Sequence, residues 1–188
     1  MDFETEIFKF IPQNEQEYND KKILLDYINR YKDNVLLREN KIAHITSSGF
    51  IMNPLLDKVL MIHHNILDTW AWTGGHADGD PDLLHVAIKE AQEETGVLNV
   101  TPLSKKIASI DILPVFGHNK NGLYVSAHLH LSIAYVLICD ELEPLKVKPD
   151  ENSGVAWLEI EKITRENFDS SDVYLYSKLI NKTKQYGL

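Results

Sequence analysis

The stretch Thr73-Gly74-Gly75-His76-Ala77-Asp78-Gly79-Asp80-Pro81-Asp82-Leu83-Leu84-His85-Val86-Ala87-Ile88-Lys89-Glu90-Ala91-Gln92-Glu93-Glu94-Thr95-Gly96-Val97 runs from a glycine-rich loop into a helix. At about 100° per residue, Leu84, Ala87, Ile88 and Ala91 form one apolar stripe that must face a packed layer. Asp80 reads as the N-cap, Pro81 as a first helical position whose missing amide costs nothing, and Gly96 as the terminator, which gives a helix over residues 82–95. Glu90, Glu93 and Glu94 share another face, because residues three and four apart lie side by side. Like charges repel there, and the helix dipole disfavours anions near its C-terminus. A divalent cation removes the penalty, since hard ions take carboxylate oxygens and complete their shell with water and phosphate. Taken alone, the helix also fits a solvated acidic face.

The loop adds information. Its glycines let backbone approach a ligand closely. Asp78, Asp80 and Asp82 have the first spacings of a calcium-binding EF-hand loop, but the sixth position is Leu83 rather than glycine and the twelfth is Lys89 rather than glutamate. That motif is excluded.

Outward from the helix the periodicity changes. His44, Thr46, Ser48 and Phe50 alternate with Ile45, Ser47, Gly49 and Ile51, as in a strand. A turn at Asn53 to Asp57 leads to a hairpin partner at residues 58–63, and a short strand around Trp70-Ala71-Trp72 enters the glycines. Further strands are expected at 105–113, 123–139 and 154–158. Residues 14–32 carry Tyr18, Ile23, Leu24, Tyr27 and Ile28 at helical spacing, and the chain from Ile160 is helical with a break near residues 168–171. Strands between helices at both ends imply a mixed sheet covered on two faces, an α/β sandwich. No repeat or linker divides the chain, so residues 1–188 are expected to form one domain, with 1–40 a helical extension and 41–188 the core with its C-terminal helix.

Composition narrows the function classes. The chain has 188 residues, 44% hydrophobic and 25% charged, as in ordinary globular proteins. A net charge of −9 argues against a broad nucleic-acid interface, although bound metal would still admit a small anionic substrate. Cys139 is the only cysteine, so a disulfide framework or thiolate zinc site within one chain is excluded. The acidic start lacks the basic region of a secretory signal, and no apolar run approaches membrane-spanning length, so the expected setting is cytoplasmic.

The loop and helix resemble the Nudix box, G-x5-E-x7-R-E-U-x-E-E-x-G-U with U aliphatic, and the chain looks like bacterial members of the Nudix hydrolase superfamily with unassigned substrate. Gly75, Glu90, Glu93, Glu94, Gly96 and Val97 match. The likeness runs from about residue 40 to the end, through His44-Ile45-Thr46-Ser47-Ser48, Trp72-Thr73-Gly74-Gly75-His76, His128-Leu129-His130-Leu131 and Asp150-Glu151-Asn152-Ser153-Gly154-Val155. It implies a Nudix α/β/α sandwich. Three positions depart: Ala91 replaces a larger aliphatic residue, Lys89 replaces arginine and Pro81 replaces glutamate. Lysine lacks the bidentate fork of arginine, which leaves Asp78, Asp80 or Asp82 as partners for Lys89.

The resemblance implies hydrolysis of a nucleoside diphosphate linked to another moiety, with Mg²⁺ or Mn²⁺ as cofactor. Glu90, Glu93 and Glu94 correspond to metal ligands, with the Gly74 carbonyl as a further one. Glu90 and Glu94 are also catalytic candidates, and Glu151, on a later loop, is the candidate base. The expected partner is a small diphosphate-containing molecule, with no nucleic acid and no membrane; a homodimer stays open.

Substrate contacts are expected from two polar strand faces, and from His76 beside them in the loop. Tyr124, Ser126, His128, His130 and Ser132 alternate with an apolar set, and His44, Thr46 and Ser48 form a similar row. Lining one cleft, these rows make His44, Thr46, His76, His128 and His130 the substrate-binding candidates. Histidines at i and i+2 also suit a transition metal. Trp70 and Trp72 fit base stacking or core packing. Two other readings are a non-catalytic Nudix-fold binding module and an isopentenyl-diphosphate isomerase, for which Cys139 is poorly placed.

Overall fold

In the computed structural model, which describes residues 3–120 and 122–186, β1 (Ala43–Met52) is the strand around which the chain is arranged. Along it, Ile45 and Ile51 enter one apolar cluster while Phe50 and Met52 enter another. This is the period-two consequence of a strand buried on both faces. Two N-terminal helices, α1 (Phe3–Lys9) and α2 (Glu15–Tyr31), precede it. β2 (Lys58–His64), β3 (Thr69–Ala71) and β4 (Thr73–His76) follow, then α3 (Leu83–Thr95). The chain continues through β5 (Val100–Pro102), β6 (Ser109–Val115), β7 (His118–Lys120), β8 (Leu123–Val125), β9 (His128–Cys139), β10 (Asn152–Glu159) and α4 (Ser170–Thr183).

The main sheet has the order β10-β2-β1-β9, with β5 and β6 on successive stretches of the far edge of β9. β1 and β9 run parallel, and every other pairing is antiparallel. β4 lies on the same side of β1 as β2 but further toward its start, Thr46 opposite His76 and Ser48 opposite Gly74. Leu131, Ile133, Tyr135 and Leu137 of β9 pack with residues of α1, α2 and α3, whereas Ala134 and Val136 face α4. The expected α/β/α sandwich with a mixed sheet is the fold observed.

Several local expectations are corrected. The helix N-cap is Asp82, whose side chain accepts from His85 N at 2.9 Å, so α3 begins only where the buried residues begin. Asp80 instead accepts from Asp82 N, and Pro81 lies outside the helix. Gly96 does end it, at φ +78° with its N–H on the Gln92 carbonyl. The buried stripe is Leu83, Ala87 and Ala91, with Leu84 and Ile88 half-buried beside it. The strand expected over 123–139 is broken: β8 pairs with β7 in a separate hairpin, and regular pairing to the main sheet resumes at His128. Ser126 lies in the break and Tyr124 is exposed, so neither extends the histidine row.

α2 spans residues 15–31, close to expectation, and is capped by the Asn14 side chain accepting from Glu17 N at 2.9 Å. Its Glu17 is fully buried and pairs with Lys182 of α4, while Lys178 bonds Asp111 at 2.5 Å and Ser109 donates to Glu17 at 3.2 Å. This polar knot ties the N-terminal helix to β6 and to the C-terminal helix. No helix among the described residues is long and apolar enough to cross a membrane.

Candidate functional site

Glu94 continues the buried stripe of α3, following Leu83, Ala87 and Ala91 at steps of four, four and three residues. The helix therefore carries a carboxylate into the core. Burial pushes its pKa up to about 8, against the opposing hydrogen bond from the Gly74 N–H to Oε2 at 3.0 Å. Glu90 stands one turn earlier and is also raised above the usual carboxylate range, chiefly by burial.

The glycine loop makes room for both. A Cβ on Gly75 would lie 2.4 Å from the Glu90 carboxyl carbon, so any larger residue there would displace that carboxylate. Beyond the strand, Ala77 N donates to the Ile45 carbonyl at 3.1 Å. Antiparallel alternation then makes Ser47–Gly75 a hydrogen-bonded pair and turns Gly74 outward, away from β1. Its N–H meets Glu94, and its carbonyl faces the same side because both groups of one strand residue do so.

Glu151 arrives from the loop before β10. Asn152, 1% exposed, holds that loop: its Nδ2 donates to the Glu94 carbonyl at 2.9 Å and its Oδ1 accepts from Lys148 N at 3.2 Å. As a result Glu90, Glu94 and Glu151 each offer a carboxylate oxygen, all within 4.8 Å of one another. Glu93 is not in this group; half-exposed, it faces Lys148 at 3.5 Å and Lys89 at 3.7 Å. Lys148 also bonds Glu151 at 3.0 Å. A set of hard oxygen donors, two of them raised in pKa by burial, fits Mg²⁺ or Mn²⁺.

Lys89 pairs with Glu90 and Glu93, each at 3.7 Å. The three loop aspartates are engaged otherwise: Asp78 with Arg38, Asp80 with His85 at 2.9 Å, and Asp82 as the cap. Arg38 approaches Asp78 in a fork, with its Nε 2.7 Å from Oδ1 and its Nη2 on Oδ2. Asp78 has a φ of +48° and Gly79 +91°, so a left-handed turn is clamped from outside the loop. Sequence reasoning missed Arg38, which lies in a stretch without periodicity. It also missed Asn152, quoted there only for its likeness.

On the face of β1 opposite α3, His44 and Thr46 are buried. The parallel register sets His44 beside His130 and Thr46 beside Ser132. His76 comes from β4 and His128 from the start of β9. The four imidazoles pack against one another, with centroids 4.9 Å apart for His44–His76 and His44–His128, and 5.0 Å for His76–His130. The structure thus brings His44, Thr46, His128 and His130 of the two rows onto one face of the sheet.

A sandwich with three carboxylates gathered between a box helix and two loops defines an acidic-site α/β protein. Residues 44–179 match the family model of the NUDIX domain, and the chain belongs to the Nudix family of hydrolases. Solved structures share the fold. A NUDIX-family hydrolase from Clostridium perfringens is 22% identical, with a TM-score of 0.51 over 73% of this chain and 96% of its own. A MutT protein from Methanosarcina mazei Go1 is 19% identical, with a TM-score of 0.50 over 79% and 99%. A C. elegans Ap4A hydrolase, solved as a binary complex, is 14% identical, with a TM-score of 0.50 over 76% and 96%. No curated protein matches significantly.

Proposed function

We propose that the chain is a metal-dependent pyrophosphohydrolase that cleaves the diphosphate of a nucleoside diphosphate linked to another moiety. The observation carrying this reading is the grouping of Glu90, Glu94 and Glu151 within 4.8 Å beside the Gly74-Gly75 loop, in a chain of this family. Glu90 and Glu94 would hold the cofactor with the Gly74 carbonyl, and Glu93 would join from the rim. When bound, Mg²⁺ or Mn²⁺ supplies a hard cation that screens phosphate oxygens and favours ionised water.

The remaining steps belong to the protein. The Gly74 N–H holds the Glu94 carboxylate in one orientation. Glu151 takes the proton of the attacking water as its oxygen bonds to phosphorus and the bridging P–O bond breaks, the electron pair leaving with the second phosphate. Lys148, 3.0 Å from Glu151, holds that carboxylate in place beside the group. His44, Thr46, His76, His128 and His130 form the wall assigned to the rest of the substrate.

The partner is read as a small molecule in the cytoplasm, with neither nucleic acid nor membrane; the net charge of −9 supports the first exclusion. We take residues 1–188 as one domain with 1–40 as its helical extension, a reading supported by the Glu17–Lys182 ion pair. An isomerase would need a cysteine at the site, whereas Cys139 is buried nine positions along β9 from His130, roughly 30 Å of extended chain.

The test is a panel of diphosphate-linked nucleosides incubated with Mg²⁺ and wild type or Glu94→Gln. Metal-dependent release of phosphate products that Glu94→Gln abolishes is expected. Equal activity in the variant would sink the proposed site. Absence of turnover across the panel would favour a binding module, the reading that Pro81 and Lys89 leave standing.

A further inference from the structure

Three strands contribute to the histidine cluster, and each of His44, His76, His128 and His130 offers a ring nitrogen within 4.8 Å of the other three. We infer that this quartet is a second metal site, taking a borderline divalent transition ion of the Zn²⁺ class through imidazole nitrogens. It is distinct from the carboxylate site and does not depend on the hydrolase reading.

The orientation of the rings supports a ligand rather than a plain stack. Nδ1 of His44 lies 3.0 Å from the Asn40 carbonyl and Nδ1 of His128 lies 2.9 Å from the Ser126 carbonyl. A carbonyl can only accept, so both rings carry their proton on Nδ1 and present a lone pair at Nε2. Backbone carbonyls of this kind are the outer partners that orient metal-binding histidines. His44 is 4% exposed, and its Nε2 is buried without a hydrogen-bond partner among the described residues. A buried acceptor of that kind is costly unless something meets it.

Spacing and donor chemistry select the ion. Zn–N bonds of about 2.0–2.1 Å in a tetrahedron place neighbouring nitrogens roughly 3.3–3.4 Å apart. His130 Nε2 donates to His128 Nε2 at 3.3 Å, a proton the ion would replace, and the wider separations ask for a contraction toward the centre. Imidazole suits Zn²⁺, Cu²⁺ and Ni²⁺, whereas Mg²⁺ requires oxygen. The two clusters therefore sort ions by donor type. Four nitrogens close a tetrahedral shell, so the ion would tie β1, β4 and β9 together. His76 stands two residues after Gly74, so the tie would also steady the strand that reaches Glu94.

The experiment uses the full chain, stripped with a chelator and titrated with Zn²⁺ in excess Mg²⁺. Bound metal is measured by mass spectrometry and calorimetry, and Co²⁺ substitution gives a visible spectrum. We expect one Zn²⁺ per chain and tetrahedral nitrogen-type Co²⁺ bands. His128→Ala should weaken binding by more than the roughly 10–100-fold that loss of an outer partner costs. His130→Ala serves as a second variant, and the metal-free melting point of each shows whether it folds. Glu94→Gln and the surface variant His85→Ala should retain the ion. Zn²⁺ binding that survives His128→Ala and His130→Ala in folded protein overturns the site, as does its loss in Glu94→Gln. Absence of stoichiometric binding by wild type overturns it too.

Discussion

Glu90 packs against the bare α-carbon of Gly75 so closely that a methyl group there would lie 2.4 Å from its carboxyl carbon. The glycine is thus a spatial requirement of the carboxylate group and not a turn device, since its φ is not in the left-handed region. Gly75→Ala must push Glu90 away from Glu94 and Glu151. A displacement near 1 Å at a reacting centre costs about 10²-fold in rate, while the flexible end of Glu90 can yield at little cost in stability. The expected variant is folded by circular dichroism, slightly less stable, and at least tenfold lower in kcat. A fully active Gly75→Ala would show that Glu90 is not needed where it stands.

The Glu94 carboxyl, raised to about 8 from 4.5, gives metal-free protein a particular pH profile. Between these values the folded state keeps a proton that the unfolded state has lost. Stability therefore falls as pH rises from about 4.5 to 8 and levels off above, by an amount on the order of a few kcal/mol. Urea unfolding in chelator at pH 5.5, 7 and 8.5 should trace this decline, and Glu94→Gln should flatten it. Added Mg²⁺ should stabilise more at pH 8.5 than at pH 5.5, because its ligand must be deprotonated. A slope unchanged in Glu94→Gln would assign the effect elsewhere.

The box helix was readable because three- and four-residue spacings map directly onto helix faces, and Gly96 and the glycine loop are local signals. Alternation likewise exposed β1, its turn and β2. What the sequence hid depends on neighbours distant along the chain. Nothing local says that the stripe is centred on Leu83, and so nothing says that Glu94, rather than Glu93, is carried inward. The break before His128 was hidden by an alternation that continued through it, while pairing in fact passed from the β7–β8 hairpin to β6. Arg38, forty residues from Asp78, had no periodic context to mark it.

Glu17 was equally hidden, looking like one more helix-surface glutamate in a polar segment. It is fully buried, paired with Lys182 and 3.6 Å from Lys178, which in turn holds Asp111. Removing one partner leaves the others buried and uncompensated, a loss of about 3–5 kcal/mol. Glu17→Ala should lower the denaturation midpoint accordingly, without altering activity in protein that remains folded. The double variant Glu17→Leu with Lys182→Met should recover part of the loss. A change below about 0.5 kcal/mol for Glu17→Ala would mean that the pair is solvated and that α2 is not anchored through it.

Asn152 joins the last turn of α3 to the loop carrying Glu151, through the Glu94 carbonyl at 2.9 Å and Lys148 N at 3.2 Å. It is 1% exposed and holds its neighbour through backbone alone, which makes it a positioning residue. Asn152→Ala strands a carbonyl and an amide, costing about 1–3 kcal/mol for each group that water cannot reach. If its role is to present Glu151, the variant should lower kcat about tenfold with little change in KM. It should then add almost nothing in a Glu151→Gln background, because residues acting through one group are not additive. A purely structural asparagine would give the same rate loss in both backgrounds. Asn152→Asp sharpens the comparison: it keeps the acceptor for Lys148 N but sets a negative charge against the Glu94 carbonyl, so it should not rescue kcat. Kinetics on the four proteins of the cycle decide between the two roles, with additivity counting against the positioning one.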